Sequence, residues 1–396
     1  MEVHFVLAIV LALNDWFAAR EERVPSRYDD GMSQVWTRSR AGTAASGPLV
    51  RQPVSDRPQL HLIELPLEWA QGQVQVYLIE GQPLTLIDTG VRTEASLAAL
   101  SAALDSLGYA LRDIERIIVT HAHRDHFGAI AAIRAAGASL EVCVHEADAD
   151  RLENFEAFVR ARRERLLPLV SSYGVPEDHL RVFEQDNDEL LALELSEGAS
   201  TPVDRRLRDG DRIEWKDWGL RVLHAPGHTP GHIMLEDAEA GFLFTGDQVM
   251  GQAIPYAENF YDRGLPDPRD TLRRPSRFRG LIEMRRTLRQ LRGRRDKILL
   301  PGYGGVITRA DRAIRDTLLH YDVRLQRIDR GLRHLAAMGQ AVTAFELWKA
   351  LYPSDESLSD ARSHLLLLIG ALDCLEEDGH LVTERRADGT LTHHHS

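Results

Sequence analysis

Asp125 and three histidines, His121, His123 and His126, fall within the six residues His121-Ala-His-Arg-Asp-His126. Imidazole nitrogens beside a carboxylate suit Zn2+, and Fe or Mn as well. The run directly follows the short apolar stretch 116–120. In a loop at a strand end, alternating His121 and His123 can point the same way, while Asp125 and His126 turn to an adjacent position. One lone histidine reads as a surface or core residue, but this cluster reads as a metal site. A second group follows in His224-Ala-Pro-Gly-His228-Thr-Pro-Gly-His232. There Gly and Pro fix a tight loop that can aim one imidazole at a distant site. A third group, Phe242-Leu-Phe-Thr-Gly-Asp247, ends an apolar strand on a carboxylate. A Gly-Asp pair after a strand is more often a turn, so the weight rests on the three groups together.

Regular elements must bring these groups together. Residues 74–79, 84–87 and 116–120 are short β-branched or apolar runs bounded by turn residues, and they read as strands. Between them Leu97, Leu100, Leu104 and Leu107 repeat at helical spacing, with Thr93 as N-cap and Gly108 as the stop. A helix over 128–136, a strand over 140–145 and a long Arg/Glu-rich helical stretch follow. Strands recur at 212–215, 220–224, 233–236, 242–245 and 298–300, which predicts layered sheets flanked by helices. From 309 onward the pattern is helical over 309–337, 341–352 and 358–378. A hairpin with Asp388-Gly389 at its turn comes last. The arginines from Arg273 to Arg295 read as a basic stretch on a helix, paired with acidic neighbours or free to bind an anion. His393 to His395 resemble a fragment of a purification tag or are native.

The order Leu86-Ile-Asp-Thr-Gly90, His-x-His-x-Asp-His, Gly-His-Thr-Pro-Gly-His and Thr-Gly-Asp resembles the metallo-β-lactamase superfamily over about residues 59–306. The resemblance is to the branch that contains glyoxalase II and related thioesterases. It implies an α+β fold: an αββα sandwich with its active site along one edge of the two sheets. A smaller winged-helix-like C-terminal unit of helices and a hairpin is similar to the domain appended in several members. The resemblance also implies that His121, His123 and His228 hold one metal, that Asp125 and His126 hold a second, and that Asp247 bridges them. Asp88 would support the site without ligating. His232 would be a motif companion, and His224 is read as structural. The family usually closes its second site with a histidine in Pro-Gly-His-Gly, where this chain has Pro301-Gly302-Tyr303-Gly304. Tyr303 either stays neutral and donates a hydrogen bond to a developing oxyanion or otherwise supports the site, ligates as a phenolate, or leaves the second site weak or empty. The expected boundaries are an N-terminal extension over 1–58, a catalytic domain over 59–308 with a helical insertion at about 147–200, and the C-terminal unit over 309–396.

Composition narrows the function. A net charge of −12 argues against a general nucleic-acid binder. Only Cys143 and Cys374 occur, which favours a reducing cytoplasm over a disulfide framework. The apolar run from Phe5 to Leu13 is too short to span a membrane, and it reads as a docked helix or an upstream start codon rather than a signal. The expected activity is hydrolysis of a small-molecule thioester, ester or lactone. One or two Zn2+ ions would serve, with iron or manganese as alternatives. Asp125 and Tyr303 would assist catalysis, and loops carrying Tyr256, Phe260 and Tyr261 would select the substrate. A metal-dependent ribonuclease and a mononuclear iron enzyme of persulfide-dioxygenase type are the competing readings. No membrane partner is expected, and the C-terminal unit is a candidate homodimer contact.

Overall fold

Alternation along the strands sets up the architecture. The computed structural model describes residues 50–68, 72–251, 253–268, 270–294, 298–339, 341–352 and 358–396. The apolar run from Phe5 to Leu13 and most of the expected N-terminal extension lie outside the described residues, as do the side chains of Phe260 and Tyr261. Seven strands form the first sheet in chain order: β1 (Val50–Arg51), β2 (Leu60–Pro66), β3 (Gln73–Ile79), β4 (Thr85–Ile87), β5 (Arg116–Ile118), β6 (Glu141–His145) and β7 (Arg205–Leu207). The second sheet uses β8 (Arg212–Glu214), β9 (Gly219–His224), β10 (Ile233–Asp237), β11 (Phe242–Gly246) and β14 (Ile298–Pro301), in the order β14-β11-β10-β9-β8. The intervening strands β12 (Asn259–Pro266) and β13 (Pro275–Arg279) pair with each other outside both sheets.

Leu60 and Leu62 on β2, with Tyr77 and Ile79 on β3, share one core with Phe242, Phe244 and Leu300 of the second sheet. Their odd-even neighbours Ile63, Leu65, Val74, Val76 and Leu78 face a different core, with Leu100, Leu104, Ile130 and Ile133 of flanking helices. On the second sheet Met234, Leu243 and Leu299 likewise turn outward onto Leu281, Met284 and Leu288. Period-two side-chain alternation thus buries both faces of each sheet, giving the layer order helix, sheet, sheet, helix. This is the α+β sandwich expected from the sequence, with a further helical region at its C-terminal end.

The helices are α1 (Glu94–Ser106), α2 (Arg124–Phe127), α3 (Ile130–Ala135), α4 (Glu146–Glu153), α5 (Phe155–Ser172), α6 (Glu177–Glu197), α7 (Gly280–Leu291), α8 (Ala310–Ala337), α9 (Ala344–Leu351) and α10 (Leu358–Glu377). Thr93 caps α1 by accepting from the Ser96 N–H. The helix expected over 128–136 is α3, and the short α2 precedes it. A Cβ on Gly128 between them would overlap the carbonyl oxygens of Glu197 and Arg124, so glycine is required where α6 crosses. The expected helix over the arginine run also needs correction. Arg277 and Arg279 lie on strand β13, and the helix begins only at Gly280. Arginines of this stretch form ion pairs: Arg274 with Asp270 and Glu376, Arg277 with Asp373, Arg285 with Asp322, and Arg286 with Glu283 and Glu377. Among the described residues no helix is long and apolar enough to cross a membrane.

Helices α8 to α10 join the core of the second sheet rather than forming one of their own, with Trp348 fully buried in it. Thr343 and Glu346 make a reciprocal capping box at the start of α9. The chain then closes in a hairpin of β15 (Leu381–Arg385) and β16 (Leu391–His395). His393 belongs structurally to this strand: it is buried, stacks on Tyr173 at 5.7 Å and shares a hydrogen bond with Thr383 Oγ1. Burial, with Arg274 and Arg277 nearby, lowers its pKa to about 3. In an unfolded chain histidine titrates near 6.5, so the unfolded state takes up the proton first as pH falls. The stabilisation is complete above about pH 6.5 and is lost as pH falls towards about 3. The urea midpoint should therefore fall between pH 7 and pH 4.5 by less in His393→Gln than in the parent; equal falls would count against this assignment.

Candidate metal centre

The candidate ligands sit where strands end. β5 delivers Thr120 and the loop with His121 and His123, while the short α2, which starts just after His123, carries Asp125 and His126. The turn from β9 to β10 delivers His228 and His232, and Asp247 follows β11 directly. Gly227 lets the His228 loop lie against α7, since a Cβ there would meet Met284 Cα at 2.5 Å. Tyr303 follows β14 in a turn held by Gly302 N–H donating to Gly246 O and by Gln75 N–H donating to Gly302 O. All six candidate ligands are therefore brought to one edge of the sandwich.

Two groups of side chains come close enough to share an ion. His121, His123 and His228 form one; His121, His126 and Asp247 form the other. His121 Nε2 lies 3.0 Å from His123 Nδ1, and His228 Nε2 lies 2.9 Å from that same nitrogen. The outer ring nitrogens settle the tautomers. Thr120 Oγ1 donates to Asp88, so at 3.1 Å it accepts from His121 Nδ1. His123 Nε2 donates to Glu258 Oε1 at 2.9 Å, and His228 Nδ1 donates to Tyr256 O at 2.6 Å. With those hydrogens placed outward, neutral His121 and His228 turn their Nε2 lone pairs towards His123 Nδ1. Burial and neighbouring imidazoles hold His121 well below the ordinary histidine range and His228 at about 4, so both are neutral near pH 7. Three converging imidazole nitrogens are a donor set suited to a metal cation.

The second group is anionic. His126 Nδ1 donates to Asp88 Oδ2 at 2.8 Å, leaving Nε2 3.2 Å from Asp125 and 3.5 Å from Asp247. His126 Nε2 and Asp247 Oδ1 are both buried with no hydrogen-bond partner among the described residues. Burial pulls the His126 pKa down, but Asp247, Asp88 and Asp125 outweigh it and raise it well above the usual value. Burial likewise raises Asp125, yet His126, Arg124 and His123 hold its carboxyl well below the ordinary range. Asp247 also reaches His228, with Oδ2 3.5 Å from Nε2, so it stands between the two groups. A Cβ on Gly302 would overlap Asp247 Oδ1, so only glycine fits beside that oxygen.

Supporting contacts surround both groups. Asp88 adopts φ 60°, a left-handed backbone rarely taken outside glycine. In that conformation it accepts from Thr120 N–H, Thr120 Oγ1 and His126 Nδ1. The Tyr303 hydroxyl donates to Asp125 Oδ2. Burial, with Asp125 and Asp247 beside it, pushes the phenol well above its ordinary pKa, so it stays a neutral donor. His232 Nε2 accepts from Asp247 N–H instead of facing the three-histidine group. His224 stacks on His145 at 4.0 Å and bonds to Pro230 O, away from the cluster. Sequence reading missed Glu258 and its partner Arg151, 2.8 Å apart. Burial opposes ionisation of Glu258, but Arg151 and His123 hold its carboxyl well below the ordinary range. Neither residue belongs to a recognisable motif.

The chain belongs to the metallo-beta-lactamase superfamily, whose sequence model matches residues 69–302. It is similar to a probable metallo-hydrolase of Bacillus subtilis, 28% identical over 294 residues, covering 74% of this chain and 84% of that one. It also matches an acyl-coenzyme A thioesterase of Gallus gallus at 33% identity over 149 residues, spanning 35% of this chain and 45% of the relative. Among solved structures, a metallo-beta-lactamase family protein of Thermus thermophilus aligns with TM-score 0.65 and 24% identity, over 86% of this chain and 99% of that chain, which establishes the shared fold.

Proposed function

We propose that the protein is a metal-dependent hydrolase of small acyl compounds, with a thioester as the preferred substrate class and an ester or lactone next. The observation that carries this reading is the convergence of three imidazole nitrogens beside a buried carboxylate oxygen of Asp247 that has no hydrogen-bond partner among the described residues. His121, His123 and His228 would hold one ion. Asp125 and His126 would hold a second, with Asp247 shared between them. Zinc suits this nitrogen-rich donor set, with iron or manganese as alternatives. Such an ion, when bound, polarises a carbonyl and lowers the pKa of water towards neutrality.

The chain's own groups supply the rest. Asp125 is held as a carboxylate by His126 and Arg124, and it can orient an attacking water through its free lone pairs. Tyr303 pins Asp125 with its hydroxyl and can turn that donor towards an oxyanion. Similarity to an acyl-coenzyme A thioesterase supports the thioester class. Pairing of the arginine stretch with acidic side chains weighs against the ribonuclease reading. We read α9, α10 and the closing hairpin as winged-helix-like, serving as a cleft wall or a homodimer contact. Two buried free thiols, Cys143 and Cys374, fit a cytoplasmic setting.

A panel of acyl-thioesters, lactones and labelled single-stranded RNA, run with metal analysis of the purified protein, tests this reading. Thioester cleavage dependent on bound metal is expected; cleavage of RNA alone would overturn it. One iron per chain with oxygen consumption would replace hydrolysis by oxygenation. Tyr303→Phe should lower kcat on the order of 10- to 100-fold with metal content unchanged, as for loss of a group that supports a ligand. Loss of metal from that variant would instead make Tyr303 a ligand.

A further inference from the structure

Outside the ligand set one buried carboxylate touches both histidine-bearing loops. Asp148 lies in the first turn of α4 and has no exposed surface. Its Oδ2 accepts from Ala122 N–H at 3.0 Å, the residue between His121 and His123. The same oxygen accepts from the Thr229 hydroxyl at 2.6 Å, next to His228. Its Oδ1 accepts from Gly231 N–H at 2.8 Å, next to His232. Gly231 is required for the approach, since a Cβ there would meet Asp148 N at 2.5 Å and Asp148 Cβ at 2.6 Å. The three donors lie 26, 81 and 83 residues away along the chain.

We infer that Asp148 is the positioning residue of the three-histidine group. It sets the separation between the loop bearing His121 and His123 and the loop bearing His228. The inference rests on the metal-centre reading above. Two of the bonded groups are backbone amides, so the carboxylate fixes main chain rather than one rotamer, and it fixes both loops at once. The side chains of Asp125 and His126 have other supports, Tyr303 and Asp88. Disturbing Asp148 therefore acts first on the three-histidine group and reaches the second only through His121. Asp148→Asn keeps the shape but offers a single acceptor oxygen, so one backbone N–H must face an amide N–H. An unsatisfied buried donor of that kind displaces its loop.

The test measures Zn2+ affinity by competition with a chromophoric chelator and records the visible spectrum of the Co2+-substituted protein. In Asp148→Asn, the affinity of the tighter site is expected to fall about 10- to 100-fold, the range for groups that orient metal ligands. The Co2+ bands should shift with it. Affinity and spectrum unchanged from the wild type, even with a lowered unfolding midpoint, would make Asp148 a structural residue only and overturn the inference. If the wild type itself bound neither Zn2+ nor Co2+, the proposed function would fall, and the inference with it. Should Asp148→Asn not fold, Thr229→Val carries the same test. It removes one donor and no backbone group, and up to about a tenfold loss is expected; no loss there overturns the inference as well.

Discussion

Replacing His121 by alanine empties both halves of the centre at once. His121 Nε2 belongs to the group with His123 and His228 and also to the group with His126 and Asp247. Of the other candidate ligands only Asp247 likewise reaches both groups, so His123→Ala should spare the His126 half. For His121→Ala the expected result is loss of all tightly held metal. kcat/KM on the best thioester should fall by at least about 10³-fold, or ~4 kcal/mol at about 1.4 kcal/mol per tenfold. Metal analysis after dialysis, beside kinetics on the same preparation, checks both parts. Retention of one equivalent of metal with substantial activity would show that His121 serves the three-histidine group alone and that the second group holds its ion without it.

The largest effect on stability should come from Asp373→Ala. Asp373 lies on α10 and pairs with Arg277 of β13, with side chains only 3% and 5% exposed. Arg277 also donates to Asn259 Oδ1 at 2.9 Å and to the Tyr173 hydroxyl at 3.0 Å. Asn259 in turn donates to Leu366 O on α10. Truncating one partner leaves a buried guanidinium without its carboxylate, which costs ~3–5 kcal/mol in comparable pairs. The double replacement Arg277→Met with Asp373→Leu removes both charges and should be far milder than the single change. Urea unfolding of the single and double variants separates the cases, and a single variant within ~1 kcal/mol of the parent would count against the pair.

The parts of the fold and site legible in the sequence are those written locally. His121 to His126 are contiguous, Thr93 caps a helix of regular leucine spacing, and Asp388-Gly389 marks a hairpin turn within a few residues. The apolar, β-branched run at 74–79 likewise marks β3. What stays hidden depends on partners far along the chain. Glu258 and Asp148 look like ordinary acidic residues until β12 and α4 bring them against His123 and the histidine loops. The arginine stretch carried no period to distinguish strand from helix, and pairing of β13 with β12 decided it. The short α2 ahead of the expected helix, and the contact of Gly128 with Glu197 of α6 between the two, are tertiary facts with no local signal.

The separations along the chain also bear on when the centre can come into being. His123 meets His228 across 105 residues, Arg124 meets Glu197 across 73, and Asp125 meets Tyr303 across 178. Closing such long loops is slow and costly in chain entropy, and domains form as the chain emerges during synthesis. The histidine run at 121–126 therefore leaves the ribosome long before the residues that must surround it. For that interval it is a set of exposed imidazoles with ordinary affinity for any passing transition metal. Choice among ions belongs to the finished chain, when the turn at Gly302 and Tyr303 closes over Asp125 and Asp247.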